Sequence, residues 1–174
     1  MAVKTQRPRR KKLQDRKEEL GKTIFSELKE SDLWHYKKNG GFFSVPRPIS
    51  IILRIIDSLS TNKRCSTVYL DLCSRTYSDF FVEIEAIEPL AFASGYTGAR
   101  RLYDWKERVK TLEELGFIKI KAGEFGDISY IAIVNPYVAI TKLRKAGKKI
   151  PDDLYNALVA RAHKIAAKDA ATLD

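Results

Sequence analysis

The chain has 174 residues, 44% of them hydrophobic, and a formal net charge of +10, which suits one globular domain with extensions and favours an anionic partner. Nucleic acid is the usual partner of that kind and a membrane surface the rival, yet no run approaches the ~20 apolar residues that span a bilayer. The basic N-terminus has no apolar stretch behind it to make a secretory signal, and Cys65 and Cys73 stand too far apart for a CxxC pair, so reduced thiols and a cytoplasmic, nucleoid-associated protein are expected.

Residues 1–12 (MAVKTQRPRRKK) hold six basic residues and no acidic one, a composition that predicts a mobile basic arm. Its Arg7, Arg9, Arg10, Lys11 and Lys12 are candidates to neutralise phosphates or enter a minor groove, with a solubilising end as the plainer alternative. From Leu13 to Lys38 the pattern is helical and mixed in charge, with Leu20, Ile24, Leu28 and Leu33 as a thin apolar stripe that Gly21 weakens. Asn39-Gly40-Gly41 breaks the chain and marks a boundary, giving segments 1–40, 41–136 and 137–174.

After Pro46 and Pro48 comes the dense apolar run of residues 49–59. Its polar positions at 50, 54, 57 and 58 recur with helical spacing, and a proline just ahead suits a first turn, which predicts a buried helix. Its β-branched isoleucines also fit a strand. VYLDLCS (68–74) fits either helix or strand, and FFVEI (80–84) reads as a short strand.

Residues 87–93 predict a short helix, Ser94-Gly95 a turn, and residues 98–115 a longer helix ending at Leu115-Gly116. On that helix Leu102, Trp105, Val109 and Leu112 are spaced 3, 4 and 3, one face toward a core. The opposite face holds Arg100, Tyr103, Asp104, Glu107 and Thr111, with Arg101 and Arg108 on one flank and Lys106 and Lys110 on the other. Arginine's rigid fork can take guanine O6 and N7 together, so Arg100 or Arg101 is a candidate base reader. Thr97 and first-turn amides suit a phosphate, and Asp104 could accept from cytosine N4 or orient Arg100 or Arg108. A solvated helix face is the bland alternative.

Two short β-type runs flank Gly123-Glu124-Phe125-Gly126. Lys119 and Lys121 alternate with Ile118 and Ile120, which gives a strand with one basic side and one buried side. Asn135-Pro136 stops the second run, and helices are expected near 137–146 and 152–168. After the second run, Lys142, Arg144, Lys145, Lys148 and Lys149 form a second basic cluster, for backbone contacts or beside a dimerisation helix.

Helix, glycine turn, helix and hairpin in this order resemble a winged helix-turn-helix DNA-binding domain, over roughly residues 49–134 and most sharply over 86–134. Leu112-Glu113-Glu114-Leu115-Gly116-Phe117-Ile118 resembles the helix exit of winged-helix regulators and plasmid replication initiators, and the wider pattern resembles proteins of plasmids and integrative elements. The resemblance implies an α+β, mostly helical fold in which the short strand at 80–84 pairs with the wing. It implies double-stranded DNA as partner, read in the major groove by helix 98–115, in transcription regulation or in mobile-element replication or partition. The chain departs from the family in an acidic wing tip (123–127) and in a helix about one turn longer than usual.

Other chemistry is poorly supported. There is no GxxxxGK[ST] loop, His35 and His163 stand apart from any ligand cluster, and Tyr77 or Tyr103 as a strand-transfer nucleophile lacks a His-x-His partner motif. The acidic stretch Asp71, Asp79, Glu83, Glu85 and Glu88 reads as surface. No enzymatic activity, cofactor, metal or small-molecule ligand is expected. The reading is a DNA-binding homodimer. Its alternatives are a protein-interaction adaptor and, from the GxxG at 95–98, a KH-like RNA binder, although Ser94 and Tyr96-Thr97 fit that loop poorly.

Overall fold

The computed structural model describes residues 15–16, 19–21, 23–27, 29, 31, 33, 41–61, 63–76, 81–165 and 173. The chain divides into two units, Met1–Phe42 and Phe43–Asp174. In the first, residues 15–16, 19–21 and 23–24 are helical, and the Phe25 N–H donates to Gly21 O at 2.9 Å. The apolar stripe expected there is not buried: Leu20, Ile24 and Leu33 are 56%, 58% and 45% exposed. Residues 25–27 are turn and Leu33 is a bend, so the helical spacing that would align these positions along one face does not continue past Ile24 in the described residues. Leu28, His35, Tyr77 and the arm at residues 1–12 lie outside the described residues.

The second unit is α+β. Its first helix, α1 (Ile49–Leu59), buries Ile52, Ile55 and Ile56 and leaves Ser50, Arg54 and Ser58 in solvent, so the helical spacing of the polar residues decides against a strand. The ambiguous VYLDLCS lies in a second helix, α2 (Ser66–Ser74), which buries Val68, Tyr69, Leu72 and Cys73. Its start is set from a distance. The Asp57 carboxylate on α1 accepts the backbone N–H of Cys65 and of Ser66, each at 2.9 Å, and the Ser66 hydroxyl at 2.7 Å. Those amides have no partner within α2, so Asp57 does the work of an N-cap while tying the two helices together.

The strand β1 (Phe81–Glu83) leads to α3 (Glu88–Ala93) and α4 (Arg101–Glu114). A hairpin, β2 (Ile118–Gly123) and β3 (Gly126–Ile133), follows and joins β1 in an antiparallel sheet of order β1-β3-β2. Register separates its two faces. Val82, Ile131 and Ile120 lie in one row on the core face, while Phe81, Ala132, Lys119 and Glu83, Tyr130, Lys121 make two rows on the other. The last helices are α5 (Pro136–Lys145), capped by Asn135 Oδ1 accepting the Tyr137 N–H at 3.0 Å, and α6 (Asp152–Lys164), which packs on α1. The core runs from Ile52, Ile55 and Ile56 through Tyr69 and Trp105 to Phe117, with Tyr69 and Phe117 edge to face at 5.8 Å. No described helix is long and apolar enough to cross a membrane.

Replacing Asp57 by Ala leaves two amides of α2 without their acceptor, and we expect a loss of about 2 kcal/mol in urea unfolding, with Asn restoring part of it. Alkaline stability has a separate signature. Burial pushes the Cys73 thiol from its ordinary 9.0 up to about 11. The folded state therefore holds that proton more tightly than the unfolded chain. Its stabilising share is complete below pH 9 and is lost as pH rises toward 11, so the unfolding midpoint should fall across that window and fall less in Cys73→Ala.

Candidate nucleic-acid interface

The segment from α3 to β2 carries most of the residues expected to meet nucleic acid. Sequence spacing puts the start of the longer helix at residue 98, but α4 begins at Arg101. Gly98 holds a φ of +81°, a left-handed conformation that a right-handed helix cannot include, so the turn persists through it. Thr97 is therefore an exposed residue of the turn ahead of the helix and is not part of its first turn.

Three buried residues set the rotation of α4. Trp105, Val109 and Leu112 are fully buried against a core that α2, α3 and β2 enclose, and Leu102 is partly buried beside them. Arg100, Arg101, Tyr103, Lys106, Lys110 and Glu114 face solvent, Tyr103 being 55% exposed. Arg100 sits at the N-cap with its guanidinium 5.0 Å from the centre of the Tyr103 ring. Arg101 donates from Nη1 to Gly98 O at 3.1 Å. An exposed arginine stacked on an aromatic ring keeps its planar fork ordered yet open to a ligand.

Of the two roles open to Asp104, accepting from cytosine or orienting an arginine, the structure has it paired to Arg108. Arg108 Nη1 donates to the Asp104 main-chain carbonyl at 3.0 Å and to its Oδ1 at 3.2 Å, and the guanidinium lies 5.2 Å from the Tyr96 ring centre. Only 20% of the Arg108 side chain is exposed. Tyr96 is anchored in turn, its hydroxyl donating to Arg64 O at 3.0 Å. Burial raises the Tyr96 phenol pKa, against the opposing pull of Arg108. Asp104 and Arg108 are thus consumed in holding the turn to the helix.

The other acids of α4 are used similarly. Glu107 accepts from Lys63 Nζ at 3.2 Å and lies 3.8 Å from Lys110 Nζ, and Glu113 Oε1 accepts the Ile120 N–H of β2 at 2.8 Å. Of the four carboxylates on α4, only Glu114 is exposed; the other three are partly buried and engaged. The solvent face is consequently far more cationic than the sequence of the helix suggests. Lys106 and Lys110, placed on a flank by spacing alone, belong to it. Glu107 and Thr111, placed on the open face, are half buried.

Lys119 and Lys121 are exposed on the sheet face opposite the core, sharing it with Phe81 and Tyr130. The expected set is thus divided: Arg100, Arg101 and Tyr103 gather at the start of α4, Lys119 and Lys121 lie on the sheet, and Arg7, Arg9, Arg10, Lys11 and Lys12 fall outside the described residues. His163 is exposed, and no group of three His, Cys, Asp or Glu side chains among the described residues could hold a metal ion. No protein-family model, curated protein or solved structure matches the chain.

The two kinds of arginine should separate in stability measurements. Arg108→Ala removes a packed, paired guanidinium and should lower stability by about 1–2 kcal/mol, whereas Arg100→Ala should stay within about 0.5 kcal/mol of the parent in urea unfolding.

Proposed function

We propose that this chain binds double-stranded DNA as a winged helix-turn-helix protein, with α4 entering the major groove. The observation that carries the proposal is the sorting of charge on α4. Internal pairs engage Asp104, Glu107 and Glu113, while Arg100, Arg101, Lys106 and Lys110 remain in solvent around Tyr103. A solvated helix at a protein surface normally shows both signs on its open face. One whose open face keeps four cations against the single exposed carboxylate of Glu114 suits a polyanion.

The helix–turn–helix and the antiparallel hairpin after it support the same reading, since β1 completes the three-stranded sheet as the strand of a winged helix would. Arg100, ordered by Tyr103 near the helix N-terminus, is assigned to a guanine edge, and Lys106 and Lys110 to flanking phosphates. Such binding serves promoter control, plasmid replication or partition alike, and the location of the operator decides among them. A second reading, an adaptor that docks protein, draws on Phe92, which is 72% exposed on α3.

Selection from a random duplex library tests the proposal directly. We expect an enriched motif, palindromic if the chain acts as a homodimer. On the winning duplex Arg100→Ala should cost about 1–3 kcal/mol and relax preference at one base pair, while Lys106→Ala should weaken all duplexes evenly. Absence of any motif, with Arg100→Ala binding like the parent, would sink the proposal; a partner then lost on Phe92→Ala would favour the adaptor.

A further inference from the structure

Between Asp127 and Asp152 the chain has no acidic residue but has five cations, Lys142, Arg144, Lys145, Lys148 and Lys149. All five are exposed, and none of them forms an ion pair among the described residues. Three of them converge. The turn that ends α5 returns the Lys148 N–H to Leu143 O at 3.0 Å, so the chain folds back beside the last turn of the helix. Arg144, Lys148 and Lys149 then line one open cleft together with Ile150, Pro151 and Asp152.

The cleft has a rigid floor and a fixed cation. The Arg144 guanidinium lies 3.8 Å from the centre of the Tyr155 ring, and the Tyr155 hydroxyl donates to Leu173 O. Ile150 is buried beneath the cleft as part of the core. Stacking on Tyr155 covers a face of the guanidinium and leaves its N–H edge for an acceptor. Three cations held together against one lining carboxylate repel one another until an anion joins them.

We propose that this cleft is a second nucleic-acid contact, which takes phosphodiester groups of the DNA backbone at a place apart from α4. The inference rests on the duplex-binding reading above. It is distinct in position, because α6 packs on α1 while α4 packs on α2, α3 and β2. Backbone phosphate fits better than free phosphate. The lysines are exposed and the site is open, so it can follow a strand passing over it but cannot enclose a small anion. Asp152, which also lines the cleft, limits the strength of the contact, and its removal strengthens binding.

The test uses the full chain and a duplex of random sequence, with affinity followed as salt is raised. The Lys148→Glu, Lys149→Glu double variant should bind about tenfold more weakly or worse, and the slope of log affinity against log salt should fall by about 2. Asp152→Asn should bind more tightly than the parent. Sequence preference from the selection experiment should be unchanged in all of them, since phosphates carry no base identity. If the parent and both variants share one slope and one affinity, the cleft proposal fails while the role of α4 stands on the Arg100→Ala result. If the parent binds no duplex, both readings fall. If sodium phosphate displaces duplex better than sodium chloride of equal ionic strength, and only when Lys148 and Lys149 are present, the cleft is a free-phosphate site and the backbone assignment is overturned.

Discussion

The rotation of α4 about its own axis is the constraint on which the rest of the site depends. Trp105, Val109 and Leu112 are fully buried, and no other rotation hides an indole and two aliphatic side chains at once. Fixing that face decides every other contact of the helix. It turns Arg108 beneath Tyr96, brings Glu107 to Lys63, and places Glu113 where it can accept the Ile120 N–H of the edge strand. It also sets the exit. Gly116, at a φ of +77°, lets its own N–H reach Glu113 O and the Phe117 N–H reach Leu112 O, so Phe117 turns into the core beside Leu112 and β2 begins in register. Helix and hairpin are thus joined at two points, the glycine exit and the Glu113 contact.

Much of this was legible along the chain, and what was hidden shares one cause. The helical spacing in residues 49–59, the Trp105 face and the glycine exit at Gly116 are local patterns, readable because the periodicity of a buried face repeats within a few turns. The fate of α2 was not readable. Its apolar residues are short in number and its start is defined by Asp57 on the preceding helix, an acceptor that spacing within residues 66–74 cannot reveal. The open face of α4 is hidden from the sequence for the same kind of reason. A helical wheel puts Asp104, Glu107 and Thr111 in solvent, but Tyr96 and Lys63 come from outside the helix and occupy that flank. Beyond tertiary coverage, spacing alone carries the helix back to Gly98, and the positive φ of that residue keeps it in the turn.

Polar groups near the turn are less completely satisfied than those around Asp57. Among the described residues the buried side-chain polar atoms that lack a protein partner are Ser94 Oγ, Trp105 Nε1 and Arg108 Nε. All three belong to the α3–α4 unit. Such atoms cost stability when left without a hydrogen bond, and most folds keep very few of them. Their concentration here sets this unit apart from the α1–α2 junction, where one carboxylate receives three donors.

The arginines of α4 show why counting charge misleads. Arg100 and Arg108 are chemically identical and two turns apart, yet one stacks in the open on Tyr103 and the other is half buried against Asp104 and Tyr96. What distinguishes them is the position of the acids. Asp104 stands one turn before Arg108 and neutralises it on the covered flank, whereas Arg100 precedes the helix, with no carboxylate paired to it in the structure described. The same logic separates Arg75, paired with Asp71 at 2.9 Å, from Arg144, which stacks on Tyr155 in a stretch of chain empty of acids. A net charge of +10 is therefore not spread evenly over this protein. Among the described residues of the second unit, internal pairing engages Arg75 and Arg108, while Arg100, Arg101 and Lys106 at α4 and Lys142, Arg144, Lys145, Lys148 and Lys149 around the elbow between α5 and α6 stay exposed. Both places pair an exposed arginine with an aromatic ring, which holds a cation in position without cancelling its charge.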